Sequence, residues 1–172
     1  MLRPESRKAI SSYGASVMKF EDEVRSFLGE AYRTGLRLIM VGGAAVNHHG
    51  YKRHSADVDL WIEPTSENFA RLVAVLQTIG YEVEELPNAV LQGEQNISVK
   101  ISPEQEIEVI TRFEPGGTFE ELWSRCVIVE LAGVPVAKYR VIALDDLIES
   151  KLKAARPKDL LDVLELRRKR EA

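Results

Sequence analysis

One cysteine in 172 residues, Cys126, excludes an internal disulfide. It reads as a small apolar side chain at the start of a strand rather than as a catalytic thiol. There is no long uncharged apolar run, so no membrane span is expected. The opening residues, MLRPESRK, lack an apolar signal core, which points to the cytoplasm. There is no basic excess either. Lys and Arg number 23 against 27 Asp and Glu, for a formal net charge of −4. That balance argues against non-specific nucleic-acid binding and leaves room only for a local basic patch. Repeats and low-complexity stretches are also missing. Hydrophobic content of 45% and charged content of 29% are those of an ordinary globular protein. The length suits one domain with a helical appendage.

The stretch LRLIMVGGAAVNHHGYKRHSADVDLWIE, from Leu36 to Glu63, organises the rest. Leu36 to Val41 is an apolar, branched run that suits a buried strand. Gly42 and Gly43 end it, and the segment to Gly50 is long enough for one or two helical turns. A polar loop, Tyr51 to Ser55, leads to a second strand over Asp57 to Ile62. Strand side chains alternate, so Asp57 and Asp59 project to one face. Like charges there repel unless something offsets them, and a divalent metal is the obvious candidate. Mg²⁺ takes oxygen ligands and keeps positions open for substrate phosphates.

Elsewhere the periodicity predicts a helix over Ala15 to Thr34, ending at Gly35. A second helix, capped by Ser66, ends at Gly80. Tyr81 to Glu85 alternate as a short strand, and Leu86 to Gln95 read as loop. Residues 97–101 and 106–111 alternate as strands around Pro103, which suits a hairpin. A loop over Arg112 to Thr118 precedes a short helix from Phe119 to Arg125. Val127 to Leu131 and Val134 to Ala137 flank Ala132-Gly133, a second hairpin signal. Leu144 to Ala155 and Pro157 to Arg170 are helical, with Pro157 suited to a first turn. The expected division is an N-terminal helical segment over 1–35, a core over 36–140 and a C-terminal helical segment over 141–172, packed on the core. The fold class is α/β (α+β), a small mixed, mostly antiparallel sheet backed by helices.

A third carboxylate for a metal cluster has to come from a neighbouring strand. Glu106 and Glu108 share a face, and Glu108 is favoured because it lies mid-strand between Ile107 and Val109. The competing reading is a solvated strand face. Gly42-Gly43 lets backbone N–H groups approach a phosphate. Arg53 suits bidentate phosphate pairing, or is a loop arginine in water. Adjacent histidines on a turn do not easily share one metal, so His49 is read as structural. In DDLIESKLKAARPKDLLDVLEL, the residues Asp146, Lys151, Arg156, Lys158, Asp159 and Asp162 are too polar for an ordinary pair of core helices. The basic end, residues 167–170, suits a solvated helix terminus.

Gly-Gly, a loop with Arg, then Asp-x-Asp on a strand resembles the nucleotidyltransferase superfamily with the DNA polymerase β-like core. His49-Gly50 and Arg53 look closest to its small bacterial abortive-infection and toxin-like branches. The resemblance implies that Gly42 and Gly43 hold a nucleoside triphosphate such as ATP, and that Asp57, Asp59 and Glu108 hold two Mg²⁺ or Mn²⁺ ions. Lys151, then Lys158-Asp159 and Asp162, match a helical lysine followed by Arg/Lys-Asp-x-x-Asp. By resemblance, Lys151 contacts nucleotide phosphate, Asp159 supports catalysis, and Arg53 and Arg156 join the nucleotide site. Two departures stand out. Gly-Gly-Ala replaces the usual Gly-Ser, removing a hydroxyl contact, and Lys151 and Asp159 are closer in sequence than in many such toxins. The implied activity moves a nucleoside monophosphate from NTP to a hydroxyl on RNA or protein. A toxin of this kind would have an antitoxin as partner and no membrane partner. The alternatives are a nucleotide-binding module without catalysis and a protein-interaction module bearing a large exposed apolar patch.

Overall fold

The computed structural model describes residues 15–102, 105–133 and 135–172. The readings placed on residues 1–14, on Pro103 and on Val134 lie outside them. In chain order the elements are α1 (Ala15–Thr34), β1 (Leu38–Val41), α2 (Gly42–His48), β2 (Asp57–Ile62), α3 (Ser66–Thr78) and α4 (Asn88–Leu91). They continue with β3 (Ile97–Ser102), β4 (Gln105–Ile110), α5 (Phe119–Arg125), β5 (Val127–Leu131), β6 (Ala137–Val141), α6 (Leu144–Ala154) and α7 (Pro157–Glu171). The strands form one six-stranded sheet in the order β3-β4-β2-β1-β6-β5. The β1–β2, β3–β4 and β5–β6 pairs are antiparallel, and β1–β6 and β2–β4 are parallel. The fold class is therefore mixed α/β with a mostly antiparallel sheet, as the alternating segments and helical periods imply.

The two faces of the central strands differ in chemistry. Val58, Leu60 and Ile62 on β2 and Ile107 and Val109 on β4 are buried. Asp57, Asp59, Glu106 and Glu108 alternate with them and remain partly or fully exposed. Leu28, Ala31 and Tyr32 of α1 share a cavity with Leu38, Leu60 and Tyr139, so α1 lies over the apolar face. α3 packs beside α1. Leu147 and Ile148 of α6, with Val163 and Leu166 of α7, join the same hydrophobic cluster as the sheet, which ties the C-terminal helices to the core. Among the described residues, no helix is long and apolar enough to cross a membrane.

Several boundaries differ from expectation. The α3 cap is Thr65, whose hydroxyl accepts from the Asn68 N–H, and Ser66 is already helical. Tyr81 to Glu85 do not form a strand beyond one bridge residue at Tyr81. Their alternation reflects one-sided burial of Tyr81, Val83 and Leu86 against the core. A single helical turn, α4, interrupts the loop over Leu86 to Gln95. The last strand begins rather than ends at Ala137, because Ala137 and Val141 supply its buried positions while Lys138 and Arg140 mask them in the sequence.

Asn68 joins α3 to the ends of the central strands. Its side-chain oxygen accepts from Arg37 N at 2.9 Å, and its amide nitrogen donates to the carbonyls of Arg37 and Glu63 at 3.0 and 3.1 Å. At 1% exposure it has no water to replace these bonds. Asn68→Ala is expected to destabilise the fold by about 2–3 kcal/mol in urea unfolding, because buried donors and acceptors would lose their partners.

Candidate functional site

Register, rather than sequence proximity, assembles the acidic face. Antiparallel pairing of β1 and β2 puts Val41 opposite Asp59. Parallel pairing of β2 and β4 puts Asp57 opposite Glu106 and Asp59 opposite Glu108. Paired residues project to the same side, so all four carboxylates share one face. The third strand adds Ser98 opposite Glu108 and Lys100 opposite Glu106. Ser98 Oγ donates to Glu108 Oε2 at 2.8 Å, which holds one Glu108 oxygen toward β3. Among the described residues, no group of three or more His, Cys, Asp or Glu side chains is drawn together closely enough to hold a metal ion.

Asp59 is the strained member of this face. Burial, followed by the negative charges of Asp57 and Glu108, raises its carboxyl above the ordinary carboxylate range, while Lys151 and Lys158 pull the other way. Gly42 explains the crowding. Its φ is +60°, and a Cβ there would run into the Asp59 carboxylate. A Cβ on Gly43 would run into the Ser55 hydroxyl. Gly42 is therefore required by the close approach of α2 to Asp59, and Gly43 by its approach to Ser55 in the loop before β2, whatever they bind.

The cations expected at the nucleotide are tied to two aspartates. Arg53 Nε and Nη2 donate to Asp162 Oδ1 and Oδ2 at 2.8 and 2.9 Å, a bidentate pair across 109 residues. Lys151 Nζ lies 3.1 Å from Asp159 Oδ1 and 2.7 Å from Asp162 Oδ2. Arg156 Nε donates to Asp159 Oδ2 at 2.5 Å. Arg53 is thus neither a loop residue in water nor a free phosphate ligand. The side chains of Lys151, Asp159 and Asp162 are 8%, 1% and 2% exposed. Burial by itself would push both aspartate carboxyls up. Hydrogen bonds from Arg156 and Lys151 to Asp159, and from Arg53 and Lys151 to Asp162, outweigh it and hold both below the ordinary range. Lys158, on the first turn of α7, is exposed and makes no ion pair among the described residues, yet its charge reaches Asp59.

Other expected residues fall into place around this centre. His49 Nε2 bonds the Ile142 carbonyl at 2.8 Å, a structural role that joins α2 to the residue after β6. Burial pushes the Cys126 thiol up to about 11, far from a thiolate nucleophile at neutral pH. The sequence reading placed Asp162 at the end of the Arg/Lys-Asp-x-x-Asp signature without naming its partners, although it follows Asp159 by one helical turn and so shares its face. Ser98 left no signal until strand register set it opposite Glu108.

Gly42→Ala is expected to cost at least about 1–2 kcal/mol in thermal unfolding, from the left-handed backbone alone, with the Asp59 clash adding to it. Asp162→Asn breaks a buried ion pair and is expected to cost about 3–5 kcal/mol at pH 7. The Asp162 carboxyl is held low in the folded state, so its contribution is complete above the ordinary carboxylate range and is lost as pH falls through its folded value. The stability gap between wild type and Asp162→Asn should therefore narrow in melts taken progressively below about pH 4. No protein-family model matches the chain, and no curated protein is similar enough to count as a relative.

Proposed function

We propose that this chain transfers a nucleoside monophosphate from an NTP to a hydroxyl acceptor on RNA or protein, releasing pyrophosphate. The observation that supports the reading most is the cross-strand pair Asp59–Glu108 lying against Gly42. Burial and like charge there disfavour ionised Asp59, as expected of a face that receives a cation. Asp57, Asp59 and Glu108 offer the hard oxygen ligands that Mg²⁺ or Mn²⁺ takes. Bound there, two such ions would supply charge neutralisation for the attacking and leaving oxygens.

The chain's own residues have distinct parts in this reading. Gly42 and Gly43 carry no side chain that would obstruct a triphosphate approaching the backbone. Glu108 takes the proton of the acceptor hydroxyl. Lys151 has two of its three N–H donors directed at Asp159 and Asp162, leaving one for phosphate. Lys158 supplies the exposed cation on the same side as Asp59. Asp159 and Arg53 act by holding these groups in place. A toxin role in a toxin–antitoxin or phage-defence system, acting in the cytoplasm with an antitoxin as partner, follows from the resemblance to the toxin-like branches.

One observation favours a second reading, a nucleotide-binding or protein-interaction module without catalysis. Leu152 of α6 and Leu160, Leu161 and Leu164 of α7 are 42%, 47%, 49% and 63% exposed, which is unusual apolar surface for a helix pair.

Two measurements separate the readings. Mn²⁺ at a hundredfold excess over its dissociation constant is expected to stabilise the wild type by about 2.7 kcal/mol, and Asp57→Asn with Asp59→Asn should abolish the shift. An unchanged shift would place the ion elsewhere. With α-labelled NTPs and total cellular RNA and protein, Glu108→Gln is expected to lower label transfer at least about a hundredfold while sparing NTP binding. NTP binding without any transfer by the wild type would favour the binding module.

A further inference from the structure

A cavity of about 270 Å³ opens at the N-terminal end of β1, whereas Gly42 and Asp59 stand at the opposite end of that strand. Its apolar lining comes from Leu28 and Ala31 of α1, Leu38 of β1 and Leu60 of β2, and, on the side of the sheet that carries Arg140, from Trp123 and Ile128. Among the described residues three cations line it, Arg37, Lys138 and Arg140, and no carboxylate does. An apolar lining with a few cationic side chains is the composition of a ligand site rather than of a packing defect.

The three cations differ in how far they are committed. Arg37 is held by Glu63 and Glu120 at 2.7 and 2.6 Å. Lys138 has only a loose pair with Glu130, at 3.6 Å, with the two side chains 46% and 68% exposed. Such a contact is worth little in water. Arg140 has no carboxylate partner among the described residues. Its guanidinium stacks on Trp123, 4.1 Å from the ring centroid, and Nη1 donates to the Trp123 carbonyl at 3.0 Å. Among the described residues, most of its five N–H donors therefore have no acceptor. A stacked, weakly hydrated guanidinium in that state is a receptor for a planar anion.

We propose that this cavity binds a small carboxylate with an apolar body, such as an aryl-substituted short-chain acid. The carboxylate meets Arg140 and Lys138, and the apolar body lies along Trp123 and Ile128, which line the same cavity, Ile128 opposite Arg140 in the β5–β6 register. The volume sets the size. A dry cavity of about 150 Å³ accepts benzene, so 270 Å³ accommodates one ring with a short chain. Charge sets the class, since the Arg140 guanidinium, which has no carboxylate partner among the described residues, and the loosely paired Lys138 favour an anion. This inference does not rest on nucleotidyl transfer.

Isothermal titration with 4-phenylbutyrate and with 4-phenylbutanol tests it on the full chain. The acid is expected to bind saturably and the alcohol at least about tenfold more weakly, since a charge-assisted bond to Arg is lost. Lys138→Met and Arg140→Met should each weaken the acid by about threefold to tenfold while leaving the alcohol unchanged. Lys138 is an exposed position, so its variant keeps the test valid if Arg140→Met unfolds with the loss of its Trp123 stack. No saturable binding, equal affinity for acid and alcohol, or an unchanged affinity in Lys138→Met and any folded Arg140 variant would overturn the proposal.

Discussion

Two aspartates one helical turn apart, Asp159 and Asp162, hold three cations drawn from separate parts of the chain. Arg53 comes from the loop before β2, Lys151 from α6, and Arg156 from the corner between α6 and α7. Removing charges from water is costly, and such a cluster persists only where each carboxylate is fully hydrogen-bonded. Here each aspartate has two cationic donors. The network fastens the α6–α7 corner, where Ala155 takes a left-handed conformation at φ +51°, to the approach of the Asp57–Asp59 strand. It acts together with the burial of Leu147, Ile148, Val163 and Leu166 in the core cluster, which ties the same helices to the sheet.

That face has the opposite balance. Four carboxylates share a face of neighbouring strands, and at Asp59 burial and the charges of Asp57 and Glu108 disfavour the ionised form. The two regions are complementary. The clamp contains three cations against two carboxylates, and Lys158 adds another positive charge nearby. A polyanionic ligand bound with metal ions would meet positive charge from α6 and α7 and negative charge from β2 and β4. This is the physical content of the nucleotidyl-transfer reading, and it depends on burial and charge rather than on fold likeness.

The two ends of β1 serve different chemistry. At one end the strand runs into Gly42 and the carboxylates. At the other, Arg37 and Leu38 border a cavity in which Arg37 is paired with Glu63 and Glu120, while Arg140 has no carboxylate partner among the described residues. Trp123 links the halves of that cavity wall, with Arg37 and Arg140 stacked on it at 4.5 and 4.1 Å. Cation–π contacts of this kind hold guanidinium groups without neutralising them, which at Arg140 keeps positive charge available beside apolar side chains.

Much of this was legible in local pattern. The period of two placed Asp57 with Asp59 and Glu106 with Glu108 on common faces, and the period of 3.6 located α1, α3, α6 and α7 within a residue or two. Pro157 marked the start of α7, and His49 was recognised as structural, because these features depend on nearby residues. What pairs with what was decided only in three dimensions. Strand register set Glu108, and not Glu106, opposite Asp59. The acceptor for Arg53 lies 109 residues away in Asp162, and no spacing rule announces it. Tyr81 to Glu85 alternate without forming a ladder because one-sided burial and strand pairing leave the same trace in a sequence. Local periodicity records which side of an element is buried. The partner across the sheet or the ion pair depends on how distant segments pack together, and that information appears only when the chain has folded.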